Sequence, residues 1–134
     1  MLFYRGENMF TGANVSLIKN ALNASSMRQE MISSNISNVN TPGYKAKRVE
    51  FEDVLKKTMD GSAMRSTHDN HFGVSDLSAV SPQIKEQTGN RVREDGNNVA
   101  IDTEMAELSA NAIYYQALTT QLSNHYGTIR SVLR

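Results

Sequence analysis

Residues 101–134 read IDTEMAELSANAIYYQALTTQLSNHYGTIRSVLR, and this stretch decides the fold. Along Ile101, Met105, Leu108, Ala112, Tyr115, Thr119, Leu122, Tyr126, Ile129 and Leu133 the steps alternate four and three. Nine of the ten positions are apolar, Thr119 being the exception. This is the seam of one long amphipathic helix, narrow enough for coiled-coil packing. A second row, Ala106, Ala110, Ile113 and Ala117, lies beside it. Asp102 is placed to cap the helix start, and Glu104 and Glu107 suit the positive end of its dipole. Arg130 and Arg134 suit the other end. Gly127 is a weak spot or a point of close contact, since glycine costs about 1 kcal/mol relative to alanine inside a helix.

The same pattern returns near the N-terminus. Val15, Ile18, Leu22, Ser25, Gln29, Ile32, Ile36 and Val39 again step by three and four, with six of eight positions apolar. A flanking row, Leu17, Ala21, Ala24, Met27 and Met31, widens the stripe. The predicted helix runs from about Asn14 to Val39, with Thr11 or Asn14 as its cap. It stops at Asn40-Thr41-Pro42-Gly43, because proline disfavours a helical Thr41 and Gly43 accepts a left-handed turn.

Between these helices the chain is polar. Phe51, Val54, Leu55 and Met59 predict one short helix closed by Asp60-Gly61. Ser62 to Pro82 is punctuated by Gly, Ser and Asp. Ile84 to Gln87 and Asn90 to Arg93 predict a small hairpin across Thr88-Gly89. The expected fold is mainly α: long N- and C-terminal helices paired as a coiled coil, with a short central helix and a small irregular or β-hairpin segment. The expected divisions are 1–44 (helix and turn), 45–100 (central segment) and 101–134 (C-terminal helix), the two ends forming one helical domain. The central segment reads as too polar to cover both apolar seams, so the helices are expected to pair and then pack into those of other subunits. A free chain is then expected to be partly unfolded, ordering on assembly.

Composition narrows the functions. The 134 residues carry zero formal net charge and no strongly basic end, so phosphate neutralisation gives nucleic acid no purchase. With no cysteine, thiolate zinc sites and thiol nucleophiles are excluded. No apolar run approaches the ~20 residues that span a bilayer. Met1 to Phe10 contains Arg5, Glu7 and Asn8 and does not read as a cleavable signal peptide. His68 and His71, with Asp69 or Asp76, have the spacing of a metal pair but lie in a polar loop without a fixed third ligand. His125 reads as a packed or exposed helix residue. Glu50, Glu52 and Asp53 read as a solvated helix face, and Lys45, Lys47 and Arg48 as a solvated loop. Neither a G-x-S-x-G elbow nor a phosphate loop occurs. No enzyme, cofactor or small-molecule substrate is expected.

The run Ser34-Asn35-Ile36-Ser37-Asn38-Val39-Asn40-Thr41-Pro42-Gly43-Tyr44-Lys45 closely resembles the N-terminal signature of the flagellar rod, hook and hook-associated axial family, N-[IVL]-[AS]-N-x-x-T-P-G-[YF]. Asp95-Gly96-Asn97-Asn98-Val99, Asp102, Glu104 to Leu108 and Tyr115-Gln116-Ala117-Leu118 resemble the closing region of its short proximal-rod members, and Thr67 to Phe72 resembles a T-x-x-x-H stretch found there. The resemblance implies a structural subunit of the proximal rod of the bacterial flagellar basal body, polymerising into a tubular drive shaft for motility. It implies passage through the flagellar type III export apparatus without a cleavable signal peptide, and a periplasmic location. The implied partners are copies of itself, the adaptor FliE and the rod protein FlgC. Rival readings are another short proximal rod protein such as FlgC itself, a non-polymerising helical adaptor or export chaperone, and an enzyme acting on cell wall.

Two residue groups are singled out. Asn35, Asn38, Thr41, Pro42, Gly43 and Tyr44 are expected to stop the helix and redirect the chain, with Tyr44 anchoring the turn on a neighbour; the plain alternative is an ordinary helix-end turn. Leu22, Ile32, Ile36, Leu108, Tyr115, Leu122, Tyr126 and Ile129 are expected assembly contacts; the plain alternative is a core between the two helices of one subunit.

Overall fold

The computed structural model describes residues 7–63, 80–89 and 93–133. Among the described residues five elements follow in order: helix α1 (Glu7–Ser37), strand β1 (Lys47–Glu50), helix α2 (Glu52–Ala63), strand β2 (Gln83–Glu86) and helix α3 (Ile101–Val132). The mainly α class with long terminal helices is as the periodicity predicts. His68, His71, Asp69, Asp76 and the T-x-x-x-H stretch lie outside the described residues.

Three boundaries differ from expectation. Helix α1 begins at Glu7, upstream of both predicted caps. Helix α2 runs through Asp60-Gly61 to Ala63 rather than closing there. Helix α3 is capped by Ala100, in an extended conformation and without a side-chain cap bond. The Ala100 carbonyl already accepts the Glu104 N–H at 3.0 Å, so Asp102 sits inside the first turn, where only its charge helps.

The small sheet has a different partner from the one expected. Strand β2 pairs antiparallel with β1, Val49 opposite Ile84 and Lys47 opposite Glu86. Lys47 and Arg48, read as a solvated loop, are thus strand residues; Asn90 to Val92, most of the expected second arm, lie outside the described residues. The pairing is extended beyond the strands by the Gln87 N–H, which donates to the Ala46 carbonyl at 2.9 Å. Asn98 then bridges the same two residues, accepting from the Ala46 N–H and donating to the Gln87 carbonyl, each at 2.6 Å.

A buried cluster of Ala21, Ala24, Val49, Phe51 and Val80 forms the core, flanked by Leu17, Met27, Met31, Val54, Leu55 and Leu118. The row Leu17, Ala21, Ala24, Met27, Met31 therefore faces the central segment, which does cover this side of α1. Ala21 and Ala24 leave room for that approach, and Phe51, fully buried, contributes about 1.5–3 kcal/mol by its transfer from water.

Helix α3 packs along a neighbouring side of α1. Its residues withdrawn from solvent are Glu104, Leu108, Asn111, Tyr114, Leu118, Leu122, His125 and Ile129. This line is rotated from the apolar seam read in the sequence, sharing with it Leu108, Leu122 and Ile129. The two fully buried members are polar, Glu104 and Asn111. Ile101, Met105, Tyr115, Tyr126 and Leu133 point outward, between 45% and 82% exposed. No helix among the described residues is long and apolar enough to cross a membrane.

Candidate functional site

The turn after α1 is built from backbone groups that the helix end leaves unpaired. Asn38 N–H still donates to the carbonyls of Ser34 and Asn35, both at 3.1 Å, and its side-chain amide donates to the Ser34 carbonyl at 2.8 Å. Thr41 closes the next turn: its N–H donates to the Asn38 carbonyl at 3.0 Å and its hydroxyl to Asn38 Oδ1 at 3.2 Å. Gly43 takes φ +71°, a region that an L side chain rarely adopts, and its N–H donates to the Asp95 carbonyl at 3.0 Å.

Asn97 completes the stop from across the chain. Fully buried, it directs Nδ2 at the carbonyls of Asn38, Val39 and Thr41, at 3.0, 3.1 and 2.8 Å. Its Oδ1 accepts the Val99 N–H at 2.7 Å. One amide side chain from the segment before α3 thus acts as a C-cap for α1. Gly96 supports this approach through its φ of +83°, a conformation that an L side chain rarely adopts; a Cβ there would make only ordinary contact with the Gly43 backbone, at 3.7 Å.

Asn35 is the second hub, also fully buried. Nδ2 donates to the Lys47 carbonyl and to Glu104 Oε2, both at 3.0 Å; Oδ1 accepts the Lys47 N–H at 2.9 Å and the Tyr44 hydroxyl at 3.3 Å. Every donor and lone pair of this amide is used, as its burial requires. The Tyr44 hydroxyl also meets Ser34 Oγ at 3.2 Å, so this hydroxyl is bonded within its own chain while the residue stays half-buried.

Glu104 is 1% exposed and is held by a two-pronged ion pair with Arg48, one prong at 2.7 Å to Oε2 and the other to Oε1. The bond to Glu104 raises the Arg48 guanidinium above its ordinary range against the opposing effect of burial. The pair ties β1 to the first turn of α3, with Asn35 joining both to α1. A separate polar clasp lies further along α3. Ser25 Oγ donates to Asn111 Oδ1 at 2.9 Å, and Asn111 Nδ2 donates to the Ser25 carbonyl at 3.0 Å and to Gln29 Oε1 at 3.2 Å. Ser25 and Gln29 are the two polar breaks in the predicted α1 seam, and Asn111 is their match.

The structure thus brings Asn35, Asn38, Thr41, Gly43 and Tyr44 into one hydrogen-bonded unit, with Pro42 exposed beside them. It splits the seam residues. Ile32 is buried, Leu22, Ile36, Leu108, Leu122 and Ile129 are half-buried, and Tyr115 and Tyr126 are exposed on the outer face of α3. Sequence reasoning gave no role to Asn97, Asn98, Arg48, Glu104 or Asn111 in joining the elements. The available signal was the adjacent asparagines closing on Val99 and the one asparagine among the alanines of α3.

Comparison with known proteins gives concordant relatives. A family model described as flagella basal body rod protein matches residues 19–45, the second half of α1 and the turn. The flagellar basal body rod protein FlgB of Bacillus subtilis is 32% identical over 126 residues, 94% of this chain and 96% of that protein. The FlgB proteins of Buchnera aphidicola and Escherichia coli K12 are 32% and 30% identical, each over 85% of this chain and 89% and 88% of their own length.

Proposed function

The chain belongs to the FlgB family of flagellar basal body rod proteins, and from this we propose that its two terminal helices polymerise as one helical unit into the tubular proximal rod that serves motility. It is a structural subunit of the flagellar basal body rod; its relatives are rod proteins, not enzymes. The observation that carries the polymerisation reading is the outward apolar line of α3. Ile101, Met105, Tyr115, Tyr126 and Leu133 recur at seam spacing and stay between 45% and 82% exposed after α1 has packed on the adjoining face. A monomeric protein rarely leaves so regular an apolar line in water, and covering each such side chain fully is worth about 1.5–3 kcal/mol. Leu122 and Ile129, at the border of the two faces, serve both the α1 contact and the neighbour.

The remaining parts of the reading follow the family. The neighbours are copies of the chain, the adaptor FliE and the rod protein FlgC. The chain reaches the periplasmic rod through the flagellar type III export apparatus, and part of it orders only on assembly. The turn built on Asn35, Asn38, Thr41, Pro42, Gly43 and Tyr44 sets where α1 ends, and its exposed Thr41-Pro42 edge is the part left to touch a neighbour.

The experiment compares Tyr115→Asp with Leu122→Asp. Tyr115→Asp is expected to keep the helicity of the dilute chain and to abolish both rod assembly and the rescue of motility in cells lacking the native subunit. Leu122→Asp is expected to lower helicity as well. Assembly and motility that survive Tyr115→Asp would overturn the outward-face reading.

A further inference from the structure

Two aspartyl-glycyl pairs occur in the chain, Asp60-Gly61 within α2 and Asp95-Gly96 in the turn that carries Asn97. An aspartyl carboxyl can close on the nitrogen of the next residue, and a glycine there leaves that nitrogen uncrowded. Asp95 is exposed to water. Its carboxylate is turned back on its own main chain, Oδ1 accepting the Asn97 N–H at 3.1 Å and Oδ2 lying 3.8 Å from Arg93 Nε. The peptide groups on either side of Gly96 are pinned. The Asp95 carbonyl accepts the Gly43 N–H at 3.0 Å, the Gly96 N–H donates to the Arg93 carbonyl at 3.2 Å, and the Gly96 carbonyl accepts from the Lys45 ammonium. Ring closure requires the Asp95-Gly96 peptide to rotate toward the carboxyl carbon, and these bonds oppose that rotation.

We propose that Asp95-Gly96 is a latent site of isoaspartate formation, held closed by the turn it belongs to. In the reaction the Gly96 nitrogen attacks Asp95 Cγ. An N–Cγ bond forms, the amide proton and the carboxyl hydroxyl leave as water, and a cyclic imide results. Water then opens the imide. Cleavage at Cγ restores aspartate, whereas cleavage at the Asp95 carbonyl carbon leaves the main chain running through Cγ. Water is the sole co-reactant, and the mass of the chain is unchanged. The isoaspartyl link adds a methylene to the main chain immediately ahead of Asn97. It also moves the carbonyl that Gly43 holds and the carboxylate that Asn97 N–H holds. Asn97 can then no longer keep Nδ2 against the carbonyls of Asn38, Val39 and Thr41, and α1 loses its cap. The proposal concerns the single chain and does not depend on polymerisation.

Incubation of the full chain at neutral pH, folded and in urea, tests the site. Isoaspartate is read as peptides of unchanged mass and shifted retention that accept a methyl group from an isoaspartyl methyltransferase. In urea both aspartyl-glycyl pairs are expected to isomerise at comparable rates. In the folded chain Asp95 is expected to react at least about tenfold more slowly than in urea, because the bonds around Gly96 must open first. Equal rates at Asp95 in the two states overturn the guard, and absence of isoaspartate there in urea overturns the site. Lys45→Met removes one pin and leaves Asn97 in place. It is expected to speed folded-state isomerisation several-fold at Asp95 and not at Asp60; equal speeding of both pairs, or none at Asp95, overturns the local guard. Asp60→Glu chain, isomerised at Asp95 in urea and then refolded, is expected to show a lower urea midpoint than its unmodified counterpart. An unchanged midpoint overturns the link to the cap.

Discussion

Replacing Asn97 by alanine tests the idea that α1 is capped from across the chain. The substitution removes Nδ2 from three carbonyls and Oδ1 from the Val99 N–H. The carbonyls are not left bare. Asn38 O keeps the Thr41 N–H at 3.0 Å, Thr41 O keeps the Tyr44 N–H at 3.3 Å, and Val39 O keeps the Arg93 guanidinium at 2.9 Å. The Val99 N–H, on a residue 2% exposed, has no other described acceptor. One orphaned buried donor costs about 1–3 kcal/mol, and the net loss of a hydrogen bond about 1 kcal/mol more, so the variant loses about 2–4 kcal/mol. With a urea slope of about 2 kcal/mol per molar, the midpoint followed by circular dichroism falls by about 1–2 M. Asn97→Asp sharpens the test. It keeps an acceptor for Val99 but puts a second oxygen, charged, against three carbonyl oxygens, so it should destabilise at least as much as alanine. An aspartate variant milder than the alanine variant would refute the amide orientation and the cap with it.

Three further outcomes are expected. Arg48→Ala leaves Glu104 buried with Asn35 as its remaining partner and should cost about 2–4 kcal/mol. Glu104→Gln, which keeps an acceptor for Asn35 and leaves a partly exposed arginine, should cost less; the order of the two urea midpoints checks this. Asn111→Leu strands the fully buried Ser25 hydroxyl and should cost about 1–3 kcal/mol, and adding Ser25→Ala should recover part of it, a positive coupling read from a double-mutant cycle. Burial, reinforced by Glu52 and opposed by Arg28, raises the Tyr114 phenol above its ordinary 10.0. The folded chain then holds that proton more tightly than the unfolded one, so its stabilising share is complete below pH 10 and is lost as pH rises through the folded value. Tyr114→Phe should flatten the fall in urea midpoint as pH rises above the ordinary phenol value of 10.0.

The periodicity of residues 15–39 and 101–133 was enough to give two long helices, because a run of apolar steps of three and four has few other stable uses. The proline and glycine after Thr41 placed the turn by backbone sterics alone. The signature around Asn35 to Tyr44 pointed to the rod family by its order of residues. The choice of inward face was not legible. A hydrophobic pattern ranks stripes by apolarity, yet of the most apolar stripe of α3 only Leu108, Leu122 and Ile129 turned toward α1, while Ile101, Met105, Tyr115, Tyr126 and Leu133 turned outward. The face that closed on α1 was instead settled by polar groups finding partners far along the chain: Ser25 with Asn111, Asn35 with Lys47 and Glu104, Arg48 with Glu104. Each of these reads in sequence as an ordinary surface residue, since a polar group tolerates burial only once its partner is in place. The same holds for Asn97, whose three carbonyl partners lie far upstream in the turn after α1. Local sequence could set the helices and stop the first of them; only the assembled tertiary contacts could decide which sides they share and which they leave exposed.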